Sequence, residues 1–171
     1  MELPTDRCTL RPFRPADAPS LARHANNRRV WLNLRDAFPH PYAPGDAEWY
    51  IAHVAGQAPV TNFAIAVGGE AVGSIGFKLG SDVERFSAEI GDWIGEAHWG
   101  RGVMTAAVAA ATAYAFRDLG LIRVFALPFA RNLASARVLE RAGYQLEGTM
   151  RRSAVKDGEV LDQRLYAALR P

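Results

Sequence analysis

Between residues 62 and 94 the apolar positions fall into three short runs rich in β-branched and aromatic residues, "NFAIAV", "AVGSIGFKLG" and "FSAEIGDWI". Such runs suit a pleated, half-buried surface and read as strands. "GGE" separates the first two tightly and "GSDVER" the second two more loosely, which predicts an antiparallel meander. Upstream, Cys8, Leu10 and Pro12 share one side of an alternating strand in "CTLRPF". "PADAPSLARHAN" predicts a short helix entered through prolines, with Asp17 in the first turn, where the helix dipole favours a carboxylate. Ala47, Tyr50, Ile51 and Val54 recur at i, i+3, i+4 and i+7, giving a second helix up to about Gln57. Between these helices the segment Asn27 to Tyr42 ends in "FPHPY", whose alternate prolines forbid a regular helix and predict a loop.

Downstream, the spacing predicts a helix from about Val103 to Leu119, stopped by Gly120 as a left-handed cap. "IRVFALPF" follows as a strand, and a further helix runs from Asn132, a strong N-cap type, to Gly143. "YQLEGTMRRSAV" and "EVLDQRLYAAL" flank "KDG", whose Asp-Gly pair signals a hairpin. The order is strand, two helices, three strands, helix, strand, helix, hairpin. It predicts an α+β chain with a seven-stranded, mostly antiparallel sheet. The strand–helix–strand passage around residues 86–127 needs a crossover, so those two strands are expected to lie parallel.

With 171 residues and 49% hydrophobic content, the chain has enough apolar surface for one sizeable core, and residues 1–171 are read as a single domain. No apolar run has the length or flanks of a signal peptide or membrane span, so cytoplasm is the expected compartment and no membrane partner is expected. The single cysteine, Cys8, cannot form an internal disulfide and is read as a packing thiol; no Cys/His cluster has metal-ligand spacing, so no metal is expected. A net charge of +2 suits an anionic small ligand and falls far short of the clustered basic field of a nucleic-acid binder.

The chemistry begins at "HWGRGVMT". Gly100 and Gly102 stand one residue apart directly before the longest helix. A helix N-terminus leaves amide hydrogens unpaired and carries partial positive charge, and glycine lets an anion approach the backbone closely. The amides from about Arg101 to Thr105 and the Thr105 hydroxyl are therefore candidates for holding a pyrophosphate. A Walker loop is excluded because Gly-Lys-Ser/Thr is absent, and a dinucleotide fingerprint because Thr105 stands where its third glycine belongs. If the strands flanking this helix are neighbours and part, the helix starting at Asn132 opens at the same end, and a ligand can thread between the two helix starts.

These features together, "AEIGDWIGEAHWGRGVMTAA" and "NLASARVLERAGYQLEG", with "LRPFRPADAPSL", "FPHPY" and "KDGEVLD", resemble the GNAT superfamily of acyl-CoA-dependent N-acetyltransferases over nearly the whole chain, and within it the RimJ/RimL-type branch. The resemblance implies the GNAT fold: three layers, helices on both faces, and a splayed parallel strand pair at the acyl-CoA site. It implies acetyl-CoA as co-substrate, with the pyrophosphate on Gly100, Arg101, Gly102, Val103, Met104 and Thr105, the pantetheine arm along Trp93, Ile94 and Gly95, and Asn132 on its other side. Arg101 or Arg137 is expected to meet the ribose phosphate. In this branch Ala106 replaces a frequent Glu, and Asp92 replaces the Tyr of the usual "EIGY". A homodimer is compatible with the branch, although no surface for one is legible in the sequence.

Acetyl transfer to an amine needs the free base, and an α-amine titrates near pH 8. Glu89, on the strand leading to the acyl site, resembles the proposed base of the branch, and Ser135 resembles the residue that assists the leaving thiolate. Backbone amides at a bulge near Ile94 are expected to face the oxyanion. With no Ser/His pair at useful spacing, direct transfer in a ternary complex is expected over an acyl-enzyme. The Asn27–Tyr42 loop and the last hairpin are expected to wall the acceptor side, with Trp31, His40, Tyr42 and Asp92 as contacts. The resemblance implies a primary amine as acceptor, either a protein N-terminus or a small molecule. A longer acyl donor, or a silent acyl-CoA-binding module suggested by Asp92 and Ala106, are the alternatives.

Overall fold

The computed structural model describes residues 1–171 and builds them around one mixed sheet. The strands are β1 (Leu3–Pro4), β2 (Thr9–Arg11), β3 (Asn62–Val67), β4 (Glu70–Leu79), β5 (Ser87–Ile94), β6 (Arg123–Ala126), β7 (Gln145–Lys156) and β8 (Glu159–Leu169), in the spatial order β1-β2-β3-β4-β5-β6-β8-β7. Every neighbouring pair is antiparallel except β5 and β6. The sheet thus has eight strands where the sequence predicts seven. The extra one pairs Leu3 with Leu10 and Pro4 with Thr9 at the sheet edge, where a proline forfeits no inner ladder bond.

Two helical layers cover the faces. On one lie α4 (Val103–Arg117) and α5 (Leu133–Arg141). Along α4 the buried Val103, Ala107, Val108, Ala111, Tyr114 and Ala115 recur at helical spacing and join Phe63, Ile65, Val72 and Ile75 of the sheet in one apolar cluster. The alanines let the helix axis come close to the sheet, while Gly120, at φ +67°, turns the chain after the helix. Cys8 packs in this cluster, and burial pushes its thiol up. On the other face, α1 (Ala18–Ala25) and α3 (Pro44–Val54) pack Leu21, Ala25, Ala47 and Ile51 around Tyr42.

β2 and the turn that leads into α1 are tied by a buried ion pair, in which both terminal nitrogens of Arg11 donate to the Asp17 carboxylate at 2.8 Å. The Arg14 amide donates to the same carboxylate at 2.8 Å. Burial by itself would raise the Asp17 carboxyl, but the Arg11 hydrogen bond, the Arg14 amide and the two positive charges outweigh it, so the group lies below its ordinary value.

The segment expected as a loop contains one helical turn, α2 (Arg28–Trp31), begun by Asn27, whose side chain accepts from the amides of Arg29 and Val30. The prolines that argue against helix stand only after residue 38, so they leave this turn free to form. β7 and β8 form the expected hairpin, closed by Asp157 and Gly158 at φ +52° and +76°.

β5 and β6 pair over three residues, Ser87 with Arg123, Ala88 with Val124 and Glu89 with Phe125. Beyond Glu89, β5 continues to Ile94 paired only with β4, so one edge of the strand is open. The β4–β5 ladder runs without a register shift to Gly73 and Ile94, so the bulge expected near Ile94 to face the oxyanion is absent, and the opening comes from divergence of β6.

Candidate functional site

At the mouth of this opening, the chain leaves β5 through Gly95, makes a short turn over Glu96–His98, and enters α4 through the two glycines. Gly100 and Gly102 have φ of +71° and +76°, and an added Cβ at either would meet no protein atom within 4 Å. The glycines therefore serve backbone conformation and an open approach, not protein packing. The Trp99 indole donates to the Ile94 carbonyl at 2.9 Å and fixes the loop. After Trp99, whose amide donates to the Glu96 carbonyl, the next amide to find a protein acceptor is that of Ala106, which donates to the Gly102 carbonyl at 3.1 Å; those of Gly100 through Thr105 donate to none. Val103 is buried and Met104 packs partly against the core, so these two side chains anchor the helix start while their N–H groups stay available. Arg101 and Arg137 are exposed and in no ion pair. A row of free amides, a helix dipole and a nearby guanidinium are chemically suited to hold an anion.

α5 starts on the other side of the wedge. The Asn132 side-chain oxygen caps it by accepting the Ser135 amide at 3.1 Å, and the Asn132 side-chain nitrogen Nδ2 and the Ser135 hydroxyl have no protein partners. On β5, the Gly95 amide is taken by the Val72 carbonyl at 2.8 Å. Gly95 itself is needed for packing, since a Cβ there would lie 2.3 Å from the His24 ring.

Strand alternation divides the remaining candidates. Ala88, Ile90 and Ile94 face the α4 cluster, and Asp92 shares their side. Burial pushes its carboxyl up to about 6, and it has no hydrogen-bond or ion-pair partner. Tyr144 lies near it, its phenol raised by burial, lowered by its 2.7 Å hydrogen bond with Thr112, and raised again by the Asp92 charge. Asp92 therefore sits on the side of the sheet away from the expected acceptor loop, a correction to its expected role as an acceptor contact. Glu89 and Trp93 point the other way. Trp93 packs edge-on against Phe38, 5.4 Å between centroids, and Glu89 accepts a hydrogen bond from Arg35.

The loop and the hairpin do come together there, around a cleft of about 290 Å³ lined by Leu34, Arg35, Leu127, Phe129, Val155 and Lys156, among others. Lys156 is fully buried, with its ammonium 3.7 Å from the Trp31 ring centre and 2.9 Å from Asp36. Arg28 pairs with Asp157, and Arg131 donates to the Leu32 carbonyl. These links staple the loop to the hairpin. Trp31, His40 and Tyr42, expected as acceptor contacts, do not line this cleft. Trp31 is occupied by Lys156 on one side and stacks with His40, 5.5 Å between centroids. Tyr42 is buried between α1 and α3 beside Phe38, and burial pushes its phenol up to about 12. Arg35 and Lys156 were missed because each gains its meaning from partners far away in sequence.

Residues 7–145 match the model of the acetyltransferase (GNAT) domain, and the chain belongs to that family. It is 42% identical over 85 residues to a Bacillus subtilis (strain 168) protein carrying the name probable N-acetyltransferase YjcK, a match covering 50% of this chain and 47% of that protein. The chain thus spans about half the length of that relative. Among solved structures, Mycobacterium smegmatis RimJ in complex with CoA-disulfide superimposes with a TM-score of 0.84 at 26% identity, over 95% of this chain and 81% of that one. RimL, a ribosomal L7/L12 α-N-protein acetyltransferase in complex with coenzyme A, shares the fold with a TM-score of 0.86 at 20% identity, over 99% and 98% of the two chains. No helix is long and apolar enough to cross a membrane, and no group of three or more His, Cys, Asp or Glu side chains is placed to hold a metal ion.

Proposed function

We propose that the protein transfers an acetyl group from acetyl-CoA to a primary amine, directly and within a ternary complex. The observation that carries this reading is the row of amides from Gly100 to Thr105 with no protein acceptor, at the head of α4 and beside the open edge of β5. The CoA complexes of RimJ and RimL support the choice of ligand.

The residues present fit such a donor. The free amides and Arg101 receive the pyrophosphate, Arg137 reaches the ribose phosphate, and the Asn132 side-chain nitrogen holds the arm from the side opposite the open edge of β5. When bound, the donor supplies an activated thioester. Glu89 accepts one proton from the incoming ammonium; the N–C bond forms, the C–S bond breaks, and the second amine proton ends on the leaving sulfur, which the Ser135 hydroxyl stabilises by hydrogen bonding. Arg35 engages one carboxylate oxygen of Glu89 in the free protein, so an acceptor amine that takes that oxygen displaces the guanidinium.

Calorimetry with acetyl-CoA followed by thiol release across an amine panel tests the reading. Wild type is expected to bind and turn over. Glu89→Gln is expected to bind acetyl-CoA equally and lose about 10²- to 10⁴-fold in turnover at neutral pH, the usual scale for a lost base. No binding of acetyl-CoA contradicts the proposal, and unchanged turnover in Glu89→Gln removes the base.

A further inference from the structure

The Arg35–Glu89 pair is unequally buried: the Arg35 side chain is 60% exposed and that of Glu89 only 19%. Arg35 also lines the cleft between the loop and the hairpin. An exposed guanidinium resting on a sheltered carboxylate is weakly held, because solvent-exposed ion pairs contribute little and the long arginine side chain loses rotamer freedom to form them. The pair therefore presents two opposite charges that a ligand can separate. A ligand bearing both charges leaves neither unpaired: its ammonium replaces Arg35 on Glu89, and its carboxylate replaces Glu89 on Arg35.

The second cation of the cleft, Lys156, is already fixed by Trp31 and Asp36, so the free exchange capacity is one ammonium and one carboxylate. The rest of the lining is Leu34, Leu127, Phe129, Ala154 and Val155, with Gln163, whose side-chain amide donates to the Leu127 carbonyl, as its one neutral polar member, and a volume of about 290 Å³ admits a side chain, not a folded polypeptide.

From this geometry we infer that the acceptor is a free amino acid with an apolar side chain, and that Arg35 is its carboxylate-binding and positioning residue. The inference rests on the acetyl-transfer reading and narrows its acceptor. A peptide N-terminus carries an amide where Arg35 needs an anion, and a simple alkylamine strands Arg35 without a partner once it displaces it.

The test compares leucine and phenylalanine with their amides, with isoamylamine and phenethylamine, and with a short peptide beginning in leucine, by thiol release at one pH. The amides have the less basic amine and so more free base, which makes any advantage of the free acids diagnostic of the carboxylate. The expected result is a kcat/KM for the free amino acids about 10- to 100-fold above the amides and amines, the scale of one charge-assisted contact. Arg35→Gln is expected to erase that preference mainly through KM, and Arg35→Lys to restore part of it; a structural role alone would lower all acceptors together. Thermal unfolding of both variants checks that the exposed position tolerates them. Equal or better use of the amides, amines or peptide by wild type overturns the inference while leaving acetyl transfer intact. Acetyl-CoA binding with no turnover on any amine overturns both.

Discussion

Glu89 and Asp92 are three residues apart on β5 and lie on opposite faces of the sheet, one paired with Arg35 beside the cleft between loop and hairpin and the other unpaired on the side of α4 and α5. One strand thus carries two carboxylates in different surroundings. Glu89 is solvent-linked through its guanidinium partner, whereas Asp92 is partly buried with no ion-pair partner, and its burial penalises the charged form.

Asp92 therefore costs stability at neutral pH. Its folded value, about 6, lies above the ordinary 3.8, so the native state holds the proton more tightly than the unfolded chain does. Stability contributed by this group is highest below pH 4 and declines as pH rises through about 6. Asp92→Asn removes the charge at similar volume, and urea unfolding at pH 7.5 is expected to show a gain of about 1 to 2 kcal/mol that shrinks toward pH 4.

Asp17 behaves in the opposite sense. Its carboxyl lies below the ordinary value, so its contribution is present above the unfolded value and fades as pH falls through the folded one. Asp17→Ala strands Arg11, which is nearly fully buried, without its partner. A loss of about 3 kcal/mol or more in urea unfolding at neutral pH is expected, the scale for breaking a buried pair.

The glycine loop separates stability from binding. Gly102→Ala places a Cβ on a residue at φ +76°, which costs about 1 to 2 kcal/mol in folding. The same Cβ projects into open space before the free amides, so calorimetry is expected to show acetyl-CoA affinity falling by tenfold or more. Unchanged affinity with the folding cost intact would show that the loop is only a turn.

Much of this site was legible along the chain because its signals are local. Gly120, Asn132 and Gly143 mark helix ends by their own conformational needs, the Asp157–Gly158 turn announces its hairpin, and Gly100 and Gly102 flag the loop before α4. What stayed hidden depends on distant partners. The α2 turn rests on one Asn27 cap and on ties from Arg28 and Arg131 to the hairpin and loop. Arg35 joins Glu89 across 54 positions and Lys156 joins Asp36 across 120, and no pattern of polarity along the chain reports such pairings. Alternation along β5 puts Asp92 and Glu89 on different faces, but which face meets the Asn27–Tyr42 loop is set by the packing of α1 and α3 against Trp93.

The most direct measurement is amide hydrogen exchange with and without acetyl-CoA. The account predicts that the N–H groups of Gly100 to Thr105, which exchange freely in the protein alone, become the most strongly slowed in the chain once acetyl-CoA is added, with weaker slowing along the open edge of β5. Exchange at these amides that is already slow before ligand is added, or that stays fast at saturating acetyl-CoA, contradicts it.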